Sequence, residues 1–77
     1  MPPDPKTVFA RNVKRLRIAA GLSQEELASR AGLHRTYISS VERGRRNISL
    51  ENIYALASAL GSDPRELLAP DPDKGSS

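Results

Sequence analysis

The sequence contains no cysteine and no tryptophan, and one phenylalanine and two tyrosines are its only carbocyclic aromatic side chains. Without cysteine, neither a disulfide bond nor a thiolate metal site can support the fold, so the packing of helices or strands must stabilise it alone. No apolar run approaches the roughly 18 residues that a membrane span needs. Positions 1–5 also lack the basic-then-apolar order of a signal peptide. We therefore expect a soluble, cytoplasmic protein that has no membrane partner.

Side chains that carry enzymatic chemistry are equally scarce. The chain has one histidine, no glycine-rich phosphate loop and no group of acidic residues at metal-ligand spacing. Its 77 residues, 38% of them hydrophobic, can form one modest core, which leaves too little for a separate ligand-binding domain. The sequence thus predicts a single domain that is not an enzyme and that binds no metal, cofactor or small-molecule ligand.

Helix caps, helix breakers and apolar spacing predict five α-helices, and no alternation typical of β-strands occurs. Ser23 lies three residues before Glu26, which is the spacing of a capping box, and Asp63 precedes Pro64 at the start of the last helix. The fold class is therefore all-α, with a flexible N-terminus at 1–5, a folded domain at 6–69 and a disordered tail at 70–77. In chain order the helices run from residue 5 or 6 to about 20, from 24 to 32, from 35 to 43, from 50 to 60 and from 64 to about 69.

The segment from residue 24 to 43, QEELASRAGLHRTYISSVER, meets several requirements of a tight two-helix unit. Two short helices that cross steeply need a small residue at their closest approach, and Ala28 provides one. The sharp turn between them needs a residue that tolerates positive φ, and Gly32 provides it. The segment is therefore predicted to form a helix-turn-helix. Its apolar side chains then face inward, namely Leu27, Ala31, Leu33, Ile38 and Val41.

With those positions assigned to the core, the second helix of the unit keeps a polar outer face. Arg35, Ser39 and Arg43 form one row at i, i+4 spacing, and Thr36 and Ser40 form the row beside it. Short hydrogen-bonding side chains fit the major groove of DNA, where arginine can bind guanine O6 and N7. The arginines of this stretch are also a candidate footprint for phosphate binding. We expect double-stranded DNA to be the partner, because a single tyrosine on this face offers little stacking surface for RNA.

Several motifs in this region resemble the lambda-repressor and Cro-like helix-turn-helix regulators, also called XRE-type regulators. The resemblance covers about residues 6 to 68 and implies a five-helix lambda-repressor-like DNA-binding domain. Within that family, the motifs are most similar to those of the controller proteins of restriction-modification systems. The family motifs are GLSQEELA at 21–28, AG at 31–32 and YISSVERG at 37–44, and the controller-like motifs are RTYIS at 35–39 and ERGRRN at 42–47.

Matched residue by residue, the resemblance also assigns contacts. Glu42 is expected to be structural and to pair with Arg17, as in the resembling family, because an unpaired carboxylate beside phosphates would oppose binding. His34 occupies the cap of the recognition helix, where the family usually has Asp, Thr or Ser, and two roles stay open for it, an imperfect cap and a neighbour of phosphate. The implied contacts to base edges come from Arg35, Thr36, Ser39 and Ser40, and those to the phosphate backbone from Gln24, Tyr37, Arg43, Arg46 and Asn47.

One copy of so small a domain makes few DNA contacts, and a two-fold operator multiplies them. We therefore expect a homodimer with one recognition helix in each of two successive major grooves. The helix-turn-helix must stay free, so the dimer interface is predicted on the last helix and the adjoining face of the fourth, with Leu67 and Leu68 as first candidates. The predicted function is sequence-specific regulation of transcription, with a restriction-modification controller as the leading specific hypothesis. An antitoxin-type autorepressor, a general stand-alone regulator and a protein-interaction module without DNA binding are the alternatives.

Overall fold

The computed structural model describes residues 4–70, and every element of regular secondary structure in that range is an α-helix. This finding confirms the predicted all-α fold class. None of the helices in the described range is long and apolar enough to cross a bilayer. Residues 1–3 and residues 71–77, which make up most of the predicted disordered tail, lie outside the described part. The helices are α1 (Pro5–Ala19), α2 (Gln24–Ala31), α3 (Arg35–Glu42), α4 (Leu50–Leu60) and α5 (Pro64–Leu68).

The first helix begins at Pro5, as the pattern predicts, but its cap lies within the segment expected to be flexible. Asp4 is the N-cap of α1, and its Oδ1 accepts a hydrogen bond of 2.9 Å from the backbone N–H of Lys6. Pro5 is the first helical residue, where its fixed φ suits the helix and its missing N–H costs nothing. The expectation of a flexible segment through residue 5 is therefore wrong for Asp4 and Pro5, because together they form a regular helix start.

The turn between α2 and α3 depends on Gly32, whose φ of 71° and ψ of 31° lie in the left-handed region. Just beyond it, the Leu33 N–H donates to the Ala28 carbonyl at 2.8 Å and closes the end of α2. At the other end, Ser23 and Glu26 form the capping box that their spacing predicts. Both ends of α2 are thus defined by local hydrogen bonds, which sets the direction in which the chain enters α3.

One hydrophobic core receives a fully buried side chain from each helix: Val13, Leu27, Ile38, Leu56 and Leu67. Burial of a leucine, isoleucine or valine side chain stabilises a fold by about 1.5–3 kcal/mol. In this core α3 packs against α2 and α1, while α2 also packs against α4. Since α3 is covered from one side only, its opposite face lies on the surface of the molecule.

The two leucines of α5 point in different directions, and this corrects one prediction. Leu67 is 0% exposed and belongs to the core, whereas Leu68 is 56% exposed. Leu67 therefore cannot present its side chain to a second subunit without unfolding α5. Of the two residues predicted at a dimer interface, only Leu68 is accessible.

The burial of Leu67 is coupled to Asn12, a polar residue of α1 that is almost completely buried. Asn12 Nδ2 donates to the carbonyl of Leu67 at 2.9 Å and to the carbonyl of Ala69 at 2.7 Å. The last carbonyls of a helix have no partner within the helix itself, so Asn12 supplies the hydrogen bonds that α5 lacks. Asn12 thereby attaches the C-terminal end of the domain to its first helix.

Candidate nucleic-acid interface

An ion pair between Arg17 and Glu42 holds α3, the helix expected to face DNA, against α1. Arg17 Nε donates to Glu42 Oε2 at 2.6 Å and Arg17 Nη2 donates to Glu42 Oε1 at 3.0 Å, so the structure joins the two residues expected to pair. Arg17 Nη1 also donates to the carbonyl of Leu22 at 2.9 Å. The hydrogen bond to Glu42 raises the pKa of Arg17, although partial burial acts in the opposite direction. This pair fixes the C-terminal end of α3 against α1.

Gln24, the first residue of α2, joins the same pair. Its Nε2 donates to Glu42 Oε1 at 3.1 Å, so the amide is oriented by the carboxylate that Arg17 also holds. A glutamine amide carries two N–H donors, and this contact uses one of them. Gln24 therefore lies where it can still donate to a phosphate, as the resemblance implies, while Glu42 is satisfied inside the protein.

The outer face of α3 carries most of the side chains expected to contact bases. Arg35 and Thr36 in the first turn are exposed, and Ser39 one turn later is partly exposed. Ile38 and Val41 on the opposite side are buried and hold this face outward. His34, the N-cap, makes no side-chain hydrogen bond to the end of α3, so its side chain does not act as a cap.

Ser40 differs from the expectation that it contacts a base edge. Its hydroxyl donates to the backbone carbonyl of Tyr37 at 2.9 Å and accepts a hydrogen bond of 3.0 Å from Arg46 Nε. Serine hydroxyls inside helices often bond to a carbonyl of the preceding turn, and Ser40 does so here. Its donor is therefore used within the protein, and in this structure Ser40 contacts Arg46 rather than standing free beside Thr36.

Arg46 lies beyond the end of α3 and is held over the ring of Tyr37. The guanidinium carbon is 5.3 Å from the ring centroid, within the range of a cation–π contact. Together with the bond to Ser40, this contact orients an exposed arginine before any ligand is present. Arg43, the C-cap of α3, and Asn47 are also exposed at this end of the helix.

The hydroxyl of Tyr37 has a partner that no sequence pattern indicated. Asn52, in the first turn of α4, donates from Nδ2 to Tyr37 Oη at 3.0 Å. The backbone N–H of Asn52 itself donates to the hydroxyl of Ser49, the N-cap of α4, at 3.1 Å. We define Tyr37, Ser40, Arg46 and Asn52 as the tyrosine cluster.

Apolar side chains are exposed away from α3. Leu50 and Tyr54, one turn apart on α4, are 68% and 60% exposed. Leu68 borders a shallow groove of about 230 Å³ whose apolar lining includes Phe9 and Ile53. Ile18 near the end of α1 is 59% exposed as well. The large exposed apolar side chains of the described residues therefore lie on α1, α4 and α5, which leaves the polar face of α3 uncovered.

Comparisons with known proteins agree with this geometry. A family model described as helix-turn-helix matches residues 13–67. Control protein C.BamHI of Bacillus amyloliquefaciens is 47% identical over 64 residues, which cover 82% of this chain and 79% of that protein. The structure of the restriction-modification controller protein C.AhdI of Aeromonas hydrophila is 53% identical with a TM-score of 0.78, covering 80% of this chain and 94% of that one. The hypothetical transcription factor NHTF of Neisseria superposes with a TM-score of 0.89 at 45% identity, covering 99% of this chain and 90% of that one.

The matched family segment spans the core, the helix-turn-helix and the arginines that follow it, so the likeness includes the candidate interface as well as the fold. The structural neighbours also share the helical architecture found here. The chain therefore belongs to the XRE-type helix-turn-helix family of DNA-binding transcription regulators, and it is similar within that family to the controller proteins of restriction-modification systems.

Proposed function

We propose that the protein binds a two-fold DNA operator as a homodimer in the cytoplasm and acts as a restriction-modification controller. The observation that carries this proposal is the division of the α3 surface. Arg35, Thr36 and Ser39 are presented on one side, and Arg46 is held on the other by Tyr37 and Ser40. Such a division matches a helix that inserts its first turns into the major groove while the flanking residues meet phosphates.

In this arrangement each group has a separate task. Arg35, at the start of α3, can make a two-point hydrogen bond to a guanine, and Thr36 and Ser39 are short enough to approach neighbouring base edges. Gln24, Arg43, Arg46, Asn47 and the Tyr37 hydroxyl contact the phosphate backbone and set the position of the helix. The only acidic residue in α3, Glu42, is neutralised by Arg17 and does not repel the DNA.

The homodimer is supported by the position of the exposed apolar side chains. Leu50, Tyr54 and Leu68 are three of the four large exposed apolar side chains among residues 4–70. They lie on α4 and α5, outside the helix-turn-helix, where an interface with a second subunit would cover them. A dimer formed there keeps both copies of α3 free. The controller assignment is supported by the similarity to proteins that are themselves named controllers.

Selection of binding sites from a random duplex library tests the proposal. We expect an enriched sequence with two-fold symmetry whose half-sites lie about one helical turn, or about 10 base pairs, apart. The matched control is Arg35→Ala, which should enrich a relaxed half-site. For a controller, the selected sequence should also occur upstream of a restriction endonuclease or methyltransferase gene. A library with no enriched sequence would identify the chain as an interaction module that has kept the fold without DNA binding.

A further inference from the structure

We propose that Asn52 is a positioning residue that fixes the Tyr37 hydroxyl as a hydrogen-bond donor toward the DNA backbone. Asn52 Nδ2 lies 3.0 Å from Tyr37 Oη and donates to it. The two residues are 15 positions apart and belong to different helices, so the contact depends on the tertiary arrangement that brings the start of α4 to α3. The inference rests on the proposed function, because it assigns a purpose to this contact only if Tyr37 faces DNA.

The chemistry of the two groups decides where the hydroxyl hydrogen points. A phenol hydroxyl has one hydrogen to donate and lone pairs that accept, whereas an amide NH₂ can only donate. Asn52 therefore occupies a lone pair of Tyr37 and leaves the hydrogen directed elsewhere. Among residues 4–70, no acceptor receives that hydrogen. A phosphate oxygen is an acceptor without hydrogens of its own, so the orientation set by Asn52 is the one that a phosphate requires.

The remaining freedom of Tyr37 is restricted by the rest of the tyrosine cluster. Arg46 covers the ring face at 5.3 Å, and Ser40 binds the Tyr37 backbone carbonyl at 2.9 Å. The Ser49 hydroxyl holds the backbone of Asn52. The Tyr37 ring and the backbones of Tyr37 and Asn52 are thus held, and the rotation of the O–H bond is the variable that Asn52 controls. An acceptor at position 52 would turn the hydrogen inward and face the phosphate with oxygen lone pairs.

A double-mutant cycle on the selected operator tests this inference. Tyr37→Phe should weaken binding about tenfold, as expected for a hydrogen bond to a charged acceptor, and Asn52→Leu about three- to tenfold. In the Tyr37→Phe background, Asn52→Leu should change affinity by less than about twofold, since the hydroxyl that it orients is gone. Asn52→Asp should weaken the wild type more than it weakens Tyr37→Phe, because only the former has a hydroxyl that the carboxylate can turn inward.

Two further measurements separate positioning from general damage. Asn52→Leu should leave the salt dependence of binding unchanged, since no charge is removed, whereas Arg46→Ala should reduce it. In a nuclear magnetic resonance spectrum of the free protein, Tyr37→Phe should shift the side-chain amide signals of Asn52, while Tyr54→Phe should not.

The outcomes distinguish this inference from the proposed function. A wild type that binds no DNA overturns the proposed function and this inference with it. A wild type that binds its operator, combined with losses for Asn52→Leu and Tyr37→Phe that simply add, overturns the inference alone. Unshifted Asn52 amide signals in Tyr37→Phe would likewise show that the two side chains do not meet.

Discussion

Arg17 of α1 and Glu42 of α3 form a two-point ion pair, with distances of 2.6 Å and 3.0 Å between their nitrogen and oxygen atoms. The Glu42 side chain is only 4% exposed, so it depends on Arg17 and Gln24 for its hydrogen bonds. The pair connects α3, the proposed recognition helix, to α1, which carries none of the residues proposed to contact bases. Its contribution should therefore appear in the stability of the domain rather than in the choice of DNA sequence.

Glu42→Gln should lower the free energy of unfolding by about 3 kcal/mol, because it leaves the partly buried Arg17 without a countercharge. Urea unfolding measures this loss. The ratio of affinities for the operator and for scrambled DNA should change little. The control is the double variant Arg17→Met with Glu42→Met, which removes both charges. Its loss of unfolding free energy should be smaller than the sum of the losses for Arg17→Met and Glu42→Met made separately. An altered operator preference with unchanged stability would contradict the structural role of Glu42.

Gly32→Val should destabilise the domain by about 1–3 kcal/mol, because a β-branched residue is strained at the observed positive φ. An added Cβ at Gly32 would meet no atom within 4 Å, so the cost is conformational rather than steric. Gly32→Asn is the matched control, since asparagine tolerates this region and should lose less. Thermal melts that rank Asn below Val would contradict a left-handed turn at this position.

Asn12→Leu should cost about 2 kcal/mol or more, because two buried or partly buried carbonyls lose their donor. Urea unfolding of this variant is compared with that of Asn47→Ala, in which an exposed asparagine is removed and stability should stay within about 0.5 kcal/mol. Equal stability of the two variants would mean that α5 is held without Asn12.

Substitutions of the two leucines of α5 should affect different properties, namely dimerisation for Leu68 and folding stability for Leu67. Leu68→Arg should give a monomer in analytical ultracentrifugation and weaken operator binding, while the monomer stays folded, because Leu68 is on the surface. Leu67→Ala should lower the stability of folding by about 2–5 kcal/mol through a cavity in the core. A wild type that remains monomeric at micromolar concentration would refute the dimer, and a Leu68→Arg protein that still dimerises would place the interface elsewhere.

Arg35→Ala and Arg46→Ala should separate base contact from phosphate contact. Arg35→Ala should cost about 1–3 kcal/mol on the operator and relax the preference for one base pair, expected to be G·C, in each half-site. Arg46→Ala should weaken specific and nonspecific binding alike and reduce the salt slope by about one unit per arginine removed. Affinity measured against salt on operator and scrambled DNA compares both variants directly. The docking geometry would be wrong if the two arginines exchanged these effects.

The helices could be predicted from the sequence because their ends carry local signals. Ser23 with Glu26 and Asp63 with Pro64 cap the helix starts that their spacing indicated, and Gly32 ends α2 in the left-handed region. These signals act over three or four residues and need no knowledge of the fold. The start of α1 at Pro5 agrees with the predicted start at residue 5 or 6, and the cap at Asp4 is the part that the pattern did not indicate.

Contacts between distant residues could not be predicted in the same way. Asn12 and Asn52 are single polar residues whose partners lie 55 and 15 positions away, and only the packing of the helices brings them together. The inward and outward directions of Leu67 and Leu68 were likewise hidden, because α5 has 5 residues and is too short for a periodic apolar face to emerge. The hydrogen bond of Ser40 to the Tyr37 carbonyl was also not predicted, because a hydroxyl on an outer face can bond to its own helix as well as point outward.

The link between Asn12 and the end of α5 has a consequence for the synthesis of the protein. The carbonyls that bind Asn12 belong to Leu67 and Ala69, which are translated 55 and 57 positions after it. A growing chain on the ribosome therefore cannot complete the burial of its first helix, or bind Asn12, until α5 has emerged from the exit tunnel. We expect the domain to fold in one late, cooperative step, so nascent chains that stop before residue 69 have no stable recognition helix with which to occupy an operator.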